Sequence, residues 1–96
     1  MQLEIITPEA QIFSGEAEAV QFPGLNGGFQ VLSNHAPIIS ALSTGVVKVN
    51  LDKAFDATDK TSDLIQIDKS NKNVIHIDIK GGVMEMLNNK IIVLAE

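Results

Sequence analysis

The sequence predicts an all-β sandwich or barrel built as one domain. Three observations carry this. Short runs alternate apolar and polar residues, glycine, proline and asparagine interrupt them at close intervals, and no helical period is sustained anywhere. A chain of 96 residues with 45% hydrophobic content supports one core and little more.

Leu3 to Thr7 alternates, with Leu3 and Ile5 on one face and Glu4 on the other, until Pro8 interrupts it. Gln11 to Phe13 is a short strand ended by Ser14-Gly15. Glu16 to Phe22 lies between Gly15 and Pro23, which leave room for only about two helical turns. It is expected as a strand with Ala17 and Ala19 on one face. Phe22-Pro23-Gly24-Leu25 has the pattern of a type II turn, and Asn26-Gly27 that of a hairpin turn. Gly28 to Leu32 is a short strand broken at Ser33-Asn34. Ile38 to Leu42 is too short for its period to separate strand from a helical turn. Gly45 to Leu51 is a strand with Val47, Val49 and Leu51 inward.

Composition changes at Asp52. Through Asp63 the chain is polar and charged, relieved only by Ala54, Phe55 and Ala57, and is expected to be an exposed, mobile connection. Leu64 to Asp68 and Val74 to Ile79 are alternating strands joined by a turn at residues 69–73. Gly81-Gly82 breaks the pattern, and residues 83–87 and 90–94 form a last hairpin through Asn88-Asn89.

Several function classes are disfavoured. A formal net charge of -5 and four phenylalanines as the only aromatics provide neither a basic stripe nor a stacking platform for nucleic acid. Without cysteine there is no disulfide and no thiolate chemistry. No apolar run approaches the roughly 20 residues of a membrane-spanning helix, and the start lacks signal-peptide character. The expectation is a soluble intracellular protein, or one that reaches a membrane only through partners.

Catalytic groups do not assemble. His35, beside a proline in a polar loop, suits a general base, but no nucleophile or orienting carboxylate lies near it in sequence. His76 and Asp78 share a strand face, yet two ligands do not close a zinc site. Gly24, Gly27 and Gly28 lack the Gly-Lys-Ser/Thr and helix of a phosphate loop. Asp59-Lys60-Thr61 lies outside the α/β context of an aspartyl-phosphate motif, and Asp52, Asp56, Asp59 and Asp63 lack the spacing of a calcium loop. Met84-Glu85-Met86 invites comparison with biotinyl and lipoyl carrier domains, small β-sandwiches that present a lysine in a hairpin. Glu85 stands in the lysine's place, so this alternative rests on Lys90. A methionine pair is more often core filler. The expectation is therefore no catalytic residue, no cofactor and no metal.

Taken together, Leu3-Glu4-Ile5-Ile6-Thr7-Pro8, Ile12-Phe13-Ser14-Gly15-Glu16, Pro23-Gly24 with Gly27, Val31-Leu32 with His35-Ala36-Pro37, Ser40-Ala41-Leu42, Gly45-Val46-Val47, Gly81-Gly82-Val83-Met84-Glu85 and Val93-Leu94-Ala95-Glu96 are specific in order and spacing. The chain resembles the N-terminal β-sandwich domain of the epsilon subunit of F-type ATP synthases, over nearly all residues outside about 52–70. The resemblance implies a ten-stranded sandwich of two antiparallel sheets, with an extended connection around residues 52–70. It implies a non-catalytic place in the central stalk, beside the gamma subunit and on the membrane c-ring, at the cytoplasmic face of the bacterial inner membrane. There the family couples proton flow to ATP synthesis.

By position, Gly28, Phe29, Gln30 and Val31 align with the loop that meets the c-ring, and Thr7, His35 and Ser40 with positions facing gamma. The chain departs from the family at three places. Gly28 stands where a carboxylate is frequent, so a charge contact to the ring is missing or moved. Ser33-Asn34 replaces Pro-Gly before His-Ala-Pro, and Asn34 tolerates the left-handed backbone that such a turn needs. The sequence stops at Glu96, where the family commonly continues into a helical hairpin that binds ATP and inhibits hydrolysis; taken as complete, the chain lacks that control.

Overall fold

Strict alternation puts Val47, Val49 and Leu51 inside and leaves Val46 and Asn50 exposed. The same rule shapes most strands of a computed structural model describing residues 1–96, which is all-β. Its ten strands are β1 (Gln2–Ile6), β2 (Gln11–Glu16), β3 (Ala19–Gly24), β4 (Gly27–Leu32), β5 (Ile38–Leu42), β6 (Gly45–Asn50), β7 (Ile65–Ile67), β8 (Val74–Ile79), β9 (Gly82–Leu87) and β10 (Lys90–Ala95).

The first sheet has the order β2-β1-β10-β9-β5, and the second β4-β3-β6-β8-β7. A single residue pair, Gly24 with Leu42, connects them. Pairing is antiparallel except between β1 and β10, which run parallel from Gln2 opposite Lys90 to Ile6 opposite Leu94. Leu3, Ile5, Met84, Met86, Ile91 and Val93 from the first sheet meet Val20, Phe22, Val31, Val47, Val49, Ile75 and Ile77 from the second in one core. Each such side chain contributes roughly 1.5–3 kcal/mol on burial, and these residues bind the two sheets together. Met84 and Met86 are thus core residues, with Glu85 pointing out between them.

Several boundaries differ from the sequence expectation. β2 runs on through Ser14-Gly15 to Glu16, because the Gly15 backbone pairs with Leu3. The expected strand over residues 16–22 starts only at Ala19, and Ala17 is buried in the link before it. Ala19 and Val20 are consecutive buried residues, so Ala17 and Ala19 do not define a shared strand face. Pro23 and Gly24 are not a turn but the end of β3, opposite Gly28 and Gly27. The chain reverses at Leu25-Asn26, with positive φ falling on Gly27 (118°), where only glycine is unstrained. Ile38 to Leu42 is a strand, paired along β9. At Asn88-Asn89 both central residues have positive φ, 52° and 60°, as a type I′ hairpin requires.

The connection after β6 contains no strand before β7. It is largely exposed, but Phe55 is half-buried and tilts against Phe13, with ring centroids 6.4 Å apart. The Phe55 N–H donates to the Lys72 carbonyl at 2.9 Å. Residues 52–64 therefore form a strap across the flank between β2 and β7, the edge strands of the two sheets.

Candidate interaction surface

Register places the outward side chains of the first sheet in rows. Ala41, Val83, Leu94 and Ile6 follow one another across β5, β9, β10 and β1. The adjoining row is Ile39, Glu85, Ile92, Glu4 and Ser14. Leu87 and Lys90 begin the next. Ile39, Leu94, Leu87 and Val83 are 70%, 56%, 51% and 44% exposed. These strands are long enough to bury one face in the core, so the apolar outer row is surplus to folding. Lys90 makes an ion pair with Glu4 at 3.5 Å beside that row.

The second sheet presents a different surface. Gln30, Gln21, Lys48, His76 and Gln66 lie opposite one another across all five strands. His76 meets Asp68 at 2.9 Å, not its strand neighbour Asp78. The Ser70 hydroxyl and the amides of Ser70 and Asn71 also donate to that carboxylate. The His76 hydrogen bond first, then those from Ser70 and Asn71, hold the Asp68 carboxyl well below the usual carboxylate range. At the β3–β4 end of this face an open hollow is lined by Pro23, Gly28, Phe29, Gln30, Ser43 and Val46.

The β4–β5 loop and the β9–β10 turn meet at one end of the sandwich. The His35 N–H donates to the Leu32 carbonyl at 3.1 Å and closes a turn, with Asn34 at φ 67°. Positive φ at the third turn residue is what a type II turn demands, and asparagine fills that position in place of glycine. Asn89 Oδ1 accepts the Asn34 N–H at 2.7 Å and the Ser33 hydroxyl at 3.4 Å. His35 itself is exposed, and its Nδ1–H donates to the Ala36 carbonyl at 2.6 Å. That fixes one ring nitrogen on the backbone, and no nucleophile or carboxylate is bonded to the ring.

The family-aligned residues are spread around these surfaces. Thr7 follows β1, and its hydroxyl donates to the Ala10 carbonyl at 3.1 Å. Because β1 runs parallel to β10, Thr7 lies at the end of the sandwich opposite Asn89 and His35. Ser40 lies between them on β5, half-buried, on the Met84 side of the strand. Thr7 and His35 thus lie at the two ends of the first sheet, whereas Ser40 is on the inward side of β5, away from the outer face that Ile39 and Ala41 share. Gly28 and Gln30 are exposed on the second sheet. Phe29 is half-buried against Phe22, with centroids 5.5 Å apart. Val31 is fully buried and offers no side chain to any partner, because its alternation places it opposite Val20 in the core. Lys90 opens β10 and is held by Glu4, while the turn beside it consists of asparagines, so no lysine is presented as a carrier would present one.

Sequence reading missed the outer apolar row, the Asp68–His76 pair and Asn89. Only the first had a local signal, the continuous apolar run Ile91-Ile92-Val93-Leu94 where a half-exposed strand alternates.

The family model described as "ATP synthase, Delta/Epsilon chain, beta-sandwich domain" matches residues 1–96. An ATP synthase epsilon chain of Chlorobaculum tepidum is 40% identical over 94 residues, covering 98% of this chain and 86% of that one. That of Chlorobium limicola is 38% identical over 95 residues, covering 99% and 88%. That of Salinibacter ruber is 34% identical over 96 residues, and this chain spans 58% of its length. Among solved structures, a chain of the Tetrahymena thermophila mitochondrial ATP synthase central stalk and c-ring aligns with a TM-score of 0.69 at 9% identity, over 98% of this chain and 61% of that one. The last match shows the shared fold.

Proposed function

Because the chain belongs to the β-sandwich family of ATP synthase delta and epsilon chains, we propose that it is a non-catalytic central-stalk subunit joining the gamma subunit to the membrane c-ring. In this role it transmits ring rotation, so that proton flow drives ATP formation elsewhere in the complex. The observation that carries the reading is the outer row Ala41, Val83, Leu94 and Ile6, extended by Ile39 and Leu87. Contiguous exposed apolar surface on a small domain marks a protein interface. Gamma covers this face, with Thr7 and His35 at its two ends, and reaches Ser40 on the inward side of β5 from the edge of that strand. The β3–β4 hairpin meets the ring through Gly28, Phe29 and Gln30, Val31 supporting them from the core. The subunit sits at the cytoplasmic face of the inner membrane and is held there through its partners.

The test is reconstitution with gamma, followed by capture on isolated c-ring. Binding to gamma at micromolar concentration or tighter, and retention of the pair on the ring, are the expected outcomes. Failure to bind gamma at that concentration overturns the reading. A chain with residues 52–64 replaced by a short linker should bind equally, since the strap lies on the flank between β2 and β7, away from the apolar row.

A further inference from the structure

Asn89 touches two segments that are remote in sequence. Its carbonyl accepts the Gln2 N–H at the start of β1 at 3.2 Å, and its side-chain oxygen accepts from Asn34 and Ser33 in the β4–β5 loop. Its own backbone is left-handed, with φ 60°. The position therefore sets two separate requirements. The type I′ turn asks for a residue that tolerates positive φ, which glycine meets best. The loop asks for a side-chain acceptor, which glycine lacks.

That acceptor matters because of what it holds. Within residues 33–35, the His35 N–H bond to Leu32 closes the turn, and the Asn34 N–H points away from it to Asn89. Without Asn89 this amide would turn to water, leaving one backbone bond to place the loop. The clamp anchors the loop to the β9–β10 hairpin, whose strands carry Val83, Leu87 and Leu94 on the apolar outer face.

We propose that Asn89 is a positioning residue: it locks the Ser33–His35 loop in register with the apolar face, so that His35 and that face reach a partner as one preformed surface. The clamp stands on geometry alone. Its consequence for binding rests on the gamma-docking reading above.

Three variants of the full chain separate the requirements. Asn89→Gly keeps the positive φ and removes the acceptor. Asn89→Asp keeps both, because aspartate also tolerates this backbone region and its carboxylate accepts from the same donors. Asn89→Ala loses both. Amide hydrogen exchange of Asn34, measured on the chain without partner, should quicken roughly two- to tenfold in Asn89→Gly, the range for losing one neutral hydrogen bond. It should stay near wild type in Asn89→Asp. Affinity for gamma should fall by a similar factor in Asn89→Gly and be restored in Asn89→Asp, with Asn89→Ala weaker than either. Unchanged Asn34 exchange in Asn89→Gly overturns the clamp. Faster exchange with undiminished gamma affinity overturns the positioning role. If the wild-type chain fails to bind gamma, the docking reading and this role fall together, and exchange still decides the clamp by itself.

Discussion

Along β9 and β10 the outward residues include Val83, Leu87 and Leu94; along β3 and β6 they include Gln21, Lys48 and Asn50. The two sheets use the same alternation to build their shared core, but the second carries a polar row across all five strands of its outer side, with Val46 and Leu32 as its apolar exceptions. A sheet needs one apolar face to pack, so the second apolar face adds nothing to the stability of the isolated chain and carries an association risk. On the second sheet His76 bonds to Asp68, which also accepts from Ser70 and Asn71. One outer face is largely polar, and the other is the apolar surface on which the proposed docking rests.

The strongest way to break this comparison is through the geometry that aligns the apolar row. Gly82 begins β9 with φ 145°, and a Cβ there would lie 2.2 Å from the Leu94 carbonyl oxygen. Gly82→Ala should cost about 3 kcal/mol or more, from backbone strain and a clash with a neighbouring strand. Urea unfolding measures it, and a loss under about 1 kcal/mol would contradict the β9–β10 register. The next effect concerns binding without folding. Leu94→Lys should weaken gamma binding at least about thirtyfold if Leu94 is a central contact, while Gln21→Lys, the same charge on the opposite face, should leave it unchanged. Equal losses from both would erase the distinction between the faces.

The smallest effect belongs to the polar face. In the folded chain the Asp68 carboxyl is depressed, so its bonds stabilise the fold above the ordinary carboxylate pKa of about 4. The unfolded chain takes up the proton first as the solution is acidified, and the contribution is lost as pH falls through the folded value. Melting temperature followed from pH 5 to pH 2 should therefore fall further for wild type than for Asp68→Asn. Parallel curves would mean that the Asp68–His76 contact contributes nothing.

Most of the fold was legible because it is written in local alternation. Val47, Val49, Leu51 and the Val74–Ile79 run needed no partner to reveal their inward sides. Glycine and proline misled where they serve pairing instead of turning. Pro23 and Gly24 have turn chemistry, yet Gly24 is small because Phe29 and the Gly27 carbonyl crowd it, and its site is a strand end. The surface was less legible. In Ile91-Ile92-Val93-Leu94 both sides of the strand are apolar, so alternation alone does not say which of them turns to solvent. Val31 stood among the ring-facing positions because alignment follows the chain, whereas exposure alternates along it. The Asn89 clamp joins residues 55 apart in sequence and leaves no local trace.

The parallel pairing of β1 with β10 also bears on the order in which the molecule is made. The second sheet draws its strands from residues 19–79, so all of them are available before β9 and β10 are synthesised. β1, by contrast, pairs with β2 on one side and with β10, the strand most distant from it in sequence, on the other. Its closure spans nearly the whole chain, the kind of contact that slows folding most. On a ribosome all strands of the second sheet are therefore available before β10, whose arrival completes the sheet with the apolar exterior.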